Sequence, residues 1–158
     1  MPIVQQISQN GWTASKVRAD IGIESFLIPG TKVKLACNKD VAPLLVGFAA
    51  EFHELIEPID EGGLDDWGYA FRDVRGVPGK LSNHASGTAI DLNATKHSLG
   101  KAGTFPLAKV PMIRALAKKY GLKWGGDFRR PDEMHFEIAL SEAKVAALIG
   151  SLNKGDNK

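Results

Sequence analysis

A single cysteine, Cys37, is all the thiol chemistry the chain offers. That scarcity excludes an internal disulfide framework and a thiolate cluster, so any metal bound here must be held by histidine or carboxylate. Long apolar runs are missing too: no segment approaches the roughly 18 residues of a membrane span, and no membrane insertion is expected. The start, MPIVQQISQN, lacks a basic segment followed by an apolar stretch, which predicts a chain without a signal peptide, made in the cytoplasm. Neither sign of charge dominates: 20 Lys and Arg stand against 18 Asp and Glu, for a net charge of +2 and a pI near 8.7. The basic residues are scattered and no aromatic stacking motif accompanies them, so a nucleic-acid partner is not expected. Repeats and low-complexity linkers are also lacking. With 158 residues, 44% of them hydrophobic, the chain can bury one core but is short for two. One domain over residues 1–152 and a disordered tail over 153–158 are expected.

The first thirty residues read as loop-rich, with NGW and IPGT as turn signals. TKVKLAC then alternates Val33, Leu35 and Cys37 on one side, as a short strand does. Leu45, Phe48, Ala49, Phe52, Leu55 and Ile56 recur at helical steps between Pro43 and Pro58, predicting a helix with that stripe in the core. Residues 60–80 are rich in Gly, Asp and aromatics, a composition that suits a loop or short strand lining a cleft. A second helix is predicted over 106–120, with Val110, Ile113, Ala117 and Tyr120 inward and Gly121 closing it. LKWGGDF reads as a turn and EMHFEIAL as a strand. A last helix starts at Ser141 and buries Val145, Leu148, Ile149 and Leu152.

Two stretches carry the chemistry. In TAIDLN, Thr88, Ile90 and Leu92 point one way while Ala89, Asp91 and Asn93 point the other. In MHFEI the apolar Met134, Phe136 and Ile138 face the core, leaving His135 and Glu137 together on the opposite face. If these strands pair with polar faces aligned, Asp91 meets His135, and a turn at 85–87, made tight by Gly87, folds His84 back to join them. Two neutral imidazoles and one carboxylate suit a single catalytic zinc, because three protein ligands leave a fourth position for water. Asp132, three residues before His135, is placed to act as the base; Glu133 is its rival.

The motif S-N-H-A-S-G-T-A-I-D resembles the S-x-H-x-x-G-x-A-x-D motif of the M15 zinc peptidases, and D-E-M-H-F-E resembles their [DE]-x-x-H segment. The resemblance extends over roughly residues 31–140 and takes in WGYAFRDVRG and WGGDF. It implies an α+β fold of the Hedgehog/D-Ala-D-Ala peptidase type, in which a small antiparallel sheet bears the zinc site and helices pack on its back. It implies His84, Asp91 and His135 as metal ligands, Asp132 as general base, and Arg72 as the cation steadying the oxyanion, with Arg75 as the alternative.

The family includes D-alanyl-D-alanine carboxypeptidases and the L-alanyl-D-glutamate endopeptidases of phage endolysins. Without an export signal, the expectation is an endolysin that cuts the L-alanyl-D-glutamate bond of the peptidoglycan stem peptide. It is expected to be a monomer held in the host cytoplasm until a separate pore-forming protein, a holin, lets it reach the cell wall. The alternatives are a D-alanyl-D-alanine carboxypeptidase and a zinc-stabilised module that binds wall peptides or a protein partner without cutting.

Other residues weigh less. Ser82 is expected to position His84 or its turn, and Glu137 to orient His135 or to be solvated. Trp67, Tyr69 and Trp124 are candidates to line the substrate groove, where Gly125 and Gly126 let backbone approach. FHELIEP opens like a zincin H-E-x-x-H, yet Glu57 stands where the second histidine belongs, so His53 reads as a helix-surface residue. His97 reads as an exposed loop histidine.

Overall fold

The computed structural model describes residues 6–156; the first five residues and residues 157–158 lie outside the described residues. Two short antiparallel ribbons open the fold. Strand β1 (Gln6–Ile7) pairs with β2 (Thr13–Ala14), and β3 (Ile23–Leu27) pairs with β4 (Lys34–Asn38). The IPGT signal is the turn of the second ribbon: Pro29 precedes Gly30, whose φ of 81° is the left-handed backbone a type II turn needs there, and the Thr31 amide donates to the Ile28 carbonyl at 3.1 Å. The β3 strand itself was not expected. All five of its residues are exposed or half-buried, so its sequence carries no clean two-residue alternation.

Helix α1 (Ala42–Leu55) carries Pro43 in its first turn and buries Leu45, Phe48, Ala49 and Phe52. Leu55, expected in the core, is 47% exposed at the last residue of the helix, whereas Phe52 and Ile56 on either side of it are buried. Strand β5 (Ala89–Asp91), strand β6 (Leu122–Trp124) and strand β7 (His135–Ile138) form an all-antiparallel sheet in the order β5-β7-β6. The LKW segment read as turn is therefore strand β6; at three residues it is too short to show a period. Helix α2 (Val110–Lys119) is preceded by a 3-10 turn at Leu107–Lys109, so the predicted helix over 106–120 is regular only in its later part. Helix α3 (Glu142–Asp156) starts after Ser141, whose Oγ accepts the Lys144 amide at 3.4 Å. It runs past Leu152 to Asp156, so residues 153–156 of the expected tail are helical.

One face of the three-stranded sheet is apolar and meets the helices. Phe136 on the central strand packs against Phe48 at 4.4 Å and Phe52 at 5.7 Å between ring centroids, with Ile90, Ile138, Ile113 and Val145 in the same core. Cys37 is buried there too, and burial pushes its thiol up to about 12, so it is a packing residue. Among the described residues no helix is long and apolar enough to cross a membrane. The other face carries Asp91, His135 and Glu137.

The 3-10 turn Asn83–Ser86 brings His84 to that face and ends on Gly87 at φ 70°. A Cβ on Gly87 would lie 2.3 Å from Ile23 Cδ1 and 2.6 Å from the Asn38 amide nitrogen, so the turn is pressed against the second ribbon. Gly87→Ala should cost about 1–3 kcal/mol of stability through strain and overpacking, measured by urea unfolding. An unchanged midpoint would mean that the turn can move off the ribbon freely.

Candidate metal centre

Strand register does most of the assembly. Asp91 and His135 are direct partners across β5 and β7, and their facing positions put carboxylate and imidazole together. The turn at Asn83–Ser86 delivers the third group, capped by Ser82, whose Oγ accepts the His84 amide at 3.2 Å. The ligand atoms offered by His84, Asp91 and His135 all lie within 4.8 Å of one another, and all three residues are buried. This triad is compatible with one metal ion.

Hydrogen bonding fixes the direction in which each ring points its lone pair. The Gly68 carbonyl, 2.8 Å from His84 Nδ1, can only accept, so in the neutral ring Nδ1 carries the proton and Nε2 is the lone pair. That Nε2 is buried and makes no hydrogen bond, although it lies 3.3 Å from Asp91 Oδ1. On His135, Nε2 faces the Glu137 carboxylate at 2.8 Å, which leaves Nδ1 to point at Asp91 Oδ1 at 3.1 Å. Two imidazole lone pairs and an anionic oxygen thus converge, an arrangement that is repulsive unless a proton or a cation sits among them. The donor set fits a divalent metal, with His84 Nε2, Asp91 Oδ1 and His135 Nδ1 as its ligands and Gly68 and Glu137 orienting the rings.

The electrostatics agree. Burial works against the Asp91 charge, but electrostatic attraction to the His84 ring and the His135 hydrogen bond hold its carboxyl well below the usual carboxylate range. Burial likewise disfavours the His135 cation, yet hydrogen bonds to Asp91 and Glu137 outweigh it and push its pKa up to about 10. Asp132 behaves oppositely: burial raises its pKa, with Asp91 adding, against the lowering influence of His135, His84 and Arg72. Its Oδ1 is buried and has no hydrogen-bond partner among the described residues. Gly125 makes room for it; a Cβ there would lie 2.3 Å from the Asp132 carbonyl oxygen and 3.1 Å from His135 Cβ.

The triad, Asp132 and Arg72 line one open cavity of about 1030 Å³, together with Arg75, Trp67 and Phe128. Glu133, the rival base, is turned away: its carboxylate accepts the Thr104 amide at 2.7 Å and the Thr104 hydroxyl. Two of the groove aromatics are corrected. Trp124 is buried, and its indole N–H donates to the Glu133 carbonyl at 2.9 Å, bracing the segment that bears Asp132. Tyr69 donates its hydroxyl to the Ser15 carbonyl at 2.6 Å and stacks under Arg18, away from the cavity. Phe128, which sequence reasoning passed over, lines the cavity 5.9 Å from the His135 ring.

His97 is also corrected. It is 1% exposed, stacks on Phe105 at 3.7 Å, and joins Glu57 to the Thr104 hydroxyl. No motif marks it, since the partners lie 40 and 7 residues away. His53 accepts the Ile59 amide at 3.1 Å beyond the end of α1 and takes no part in the centre.

Residues 75–138 match the family model described as D-alanyl-D-alanine carboxypeptidase, of the M15 peptidases. The matched stretch spans His84, Asp91, Asp132 and His135, while Arg72 lies just before it. Comparison with curated proteins and with solved structures gives no match.

Two outcomes follow from these contacts. Because its contacts with Asp91 and Glu137 push the His135 pKa up, a metal would compete with a proton there; affinity should rise as pH is raised from about 6 to about 8, and Glu137→Gln should weaken binding about 10- to 100-fold. Competition with a chromogenic chelator measures both, and pH-independent affinity would contradict the ligand assignment. Glu57 supplies the second. Burial raises its pKa, but the His97 and Asn93 hydrogen bonds outweigh that and lower it. A depressed carboxyl stabilises the fold above its unfolded value and loses that contribution as pH falls through the folded one. The stability gap between wild type and Glu57→Gln should therefore narrow below about pH 4, read by urea midpoints; a constant gap would count against it.

Proposed function

We propose that the protein is a zinc-dependent peptidase that hydrolyses the L-alanyl-D-glutamate bond of the peptidoglycan stem peptide. The carrying observation is the convergence of two histidine lone pairs and the Asp91 carboxylate on the floor of an open cleft, beside an unpartnered buried carboxylate on Asp132. When bound, the divalent cation would supply Lewis-acid polarisation and a water whose pKa falls to about 7. Asp132 takes a proton from the attacking water. As the water oxygen bonds to the peptide carbon and the C–N bond breaks, Asp132 returns that proton to the leaving amine. Its raised pKa brings it toward neutral pH, where a base can both accept and release a proton. Arg72 offers N–H donors to the carbonyl oxygen as negative charge develops there. A site that only held metal to stabilise a fold would need neither Asp132 nor Arg72 in the cleft, which disfavours the binding-module reading.

The endolysin reading places a monomer in the host cytoplasm until a holin opens the membrane. The description of the matched family favours a second reading, a D-alanyl-D-alanine carboxypeptidase. Mass spectrometry of digested cell walls separates them: new glutamate amino termini are expected, and release of free D-alanine would select the second reading instead. Asp132→Asn should retain the metal and lose turnover by about 10²-fold or more. A variant that loses metal as well would make Asp132 a ligand rather than the base.

A further inference from the structure

The cleft is lined by four of the chain's six arginines, Arg72, Arg75, Arg129 and Arg130. They come from two separate walls. Arg72 and Arg75 belong to the loop that leads into the His84 turn, while Arg129 and Arg130 follow the 3-10 turn Gly125–Asp127 that leads into β7. The remaining two arginines have partners elsewhere: Arg114 pairs with Asp127 at 2.8 Å, and Arg18 lies over the Tyr69 ring at 5.0 Å. Among the described residues, none of the four cleft arginines makes an ion pair. Arg72 has a single side-chain hydrogen bond, to its neighbour's carbonyl at 3.3 Å.

The three carboxylates of the same cavity do not neutralise them. Asp91 and Glu137 are engaged with the two histidines, and Asp132 is turned in beside them with one oxygen buried. Arg75, Arg129 and Arg130 are exposed. Arg130 lies along the cleft edge: a methyl group added at Gly76 would sit 4.0 Å from its Nη1, and one at Gly100 would sit 3.8 Å from its Nε. Its guanidinium is thus held between two loops, one of them next to Arg75. Guanidinium groups bind carboxylates through two parallel N–H···O bonds, and like charges gathered without counter-charge are relieved by an anion.

We infer that Arg129 and Arg130, together with Arg75, bind a free carboxylate on the substrate beside the cut bond, so that the site takes acidic peptides in preference to their amidated counterparts. The inference rests on the peptidase reading of the same cleft. Arg72 stands apart from this group, because its charge already acts on Asp132 at the reacting centre.

The test uses two synthetic stem peptides that differ only in whether the residue flanking the cut bond carries a free carboxylate or a carboxamide. Wild-type metal-loaded protein is expected to favour the acid by about tenfold in kcat/KM, chiefly through KM, as fits loss of a charge-assisted hydrogen bond. The preference should shrink at high salt. In the exposed double variant Arg129→Gln/Arg130→Gln the ratio should fall to about one. Equal hydrolysis of both peptides by wild type, or an undiminished ratio in the variant, would overturn the carboxylate assignment while leaving the peptidase reading intact. Binding of both peptides, followed by titration calorimetry, covers the converse. Failure to cut either, with acid-selective binding that the double variant loses, would sink the peptidase reading and keep the carboxylate site; neither cutting nor selective binding would sink both.

Discussion

Everything at this centre depends on two rings being denied the freedom to turn their lone pairs anywhere else. The Gly68 carbonyl commits His84, and the Glu137 carboxylate commits His135, each by occupying the opposite ring nitrogen. What remains are two electron pairs aimed at the Asp91 oxygen, a geometry no neutral, metal-free protein would hold without cost. The strand pairing serves this constraint. A slip of one residue between β5 and β7 would send Asp91 to the core side and Ile90 to the cleft, so Phe136, packed against Phe48 and Phe52 on the apolar face, pins the geometry of the triad as well as the core.

Catalytic potential then comes from contrast between neighbouring carboxylates. Asp91 is driven toward its ionised form and Asp132 away from it, although both line the same cavity. The difference is one of company: Asp91 is hydrogen-bonded to His135, while one Asp132 oxygen is buried and unmatched. Separated affinities for protons are how one site can hold a cation and still move a proton.

Much of this was legible in the sequence because it is periodic or local. Alternation in TAIDLN and MHFEI put Asp91, His135 and Glu137 on one face, and Gly87 marked the turn that returns His84. The parts that were not legible depend on partners far along the chain. Trp124 and Tyr69 look like groove aromatics until their polar ends find the carbonyls of Glu133 and Ser15. His97 looks like a loop residue until Glu57 and Thr104 enclose it. Strands β3 and β6 escaped because one lacks an alternating pattern and the other is three residues long. Polar contacts across tens of residues carry no repeat, and no window of sequence displays them.

The central position of β7 has one more consequence. His135 and Phe136 are adjacent, so a candidate ligand and the middle of the aromatic core share a peptide unit. Hydrogen bonds on both sides keep that strand from fraying, and no hinge separates the two roles. Core packing and the geometry of the candidate metal site are therefore coupled in this chain. Repacking around α1 would be felt at His135, one peptide bond from the aromatic cluster.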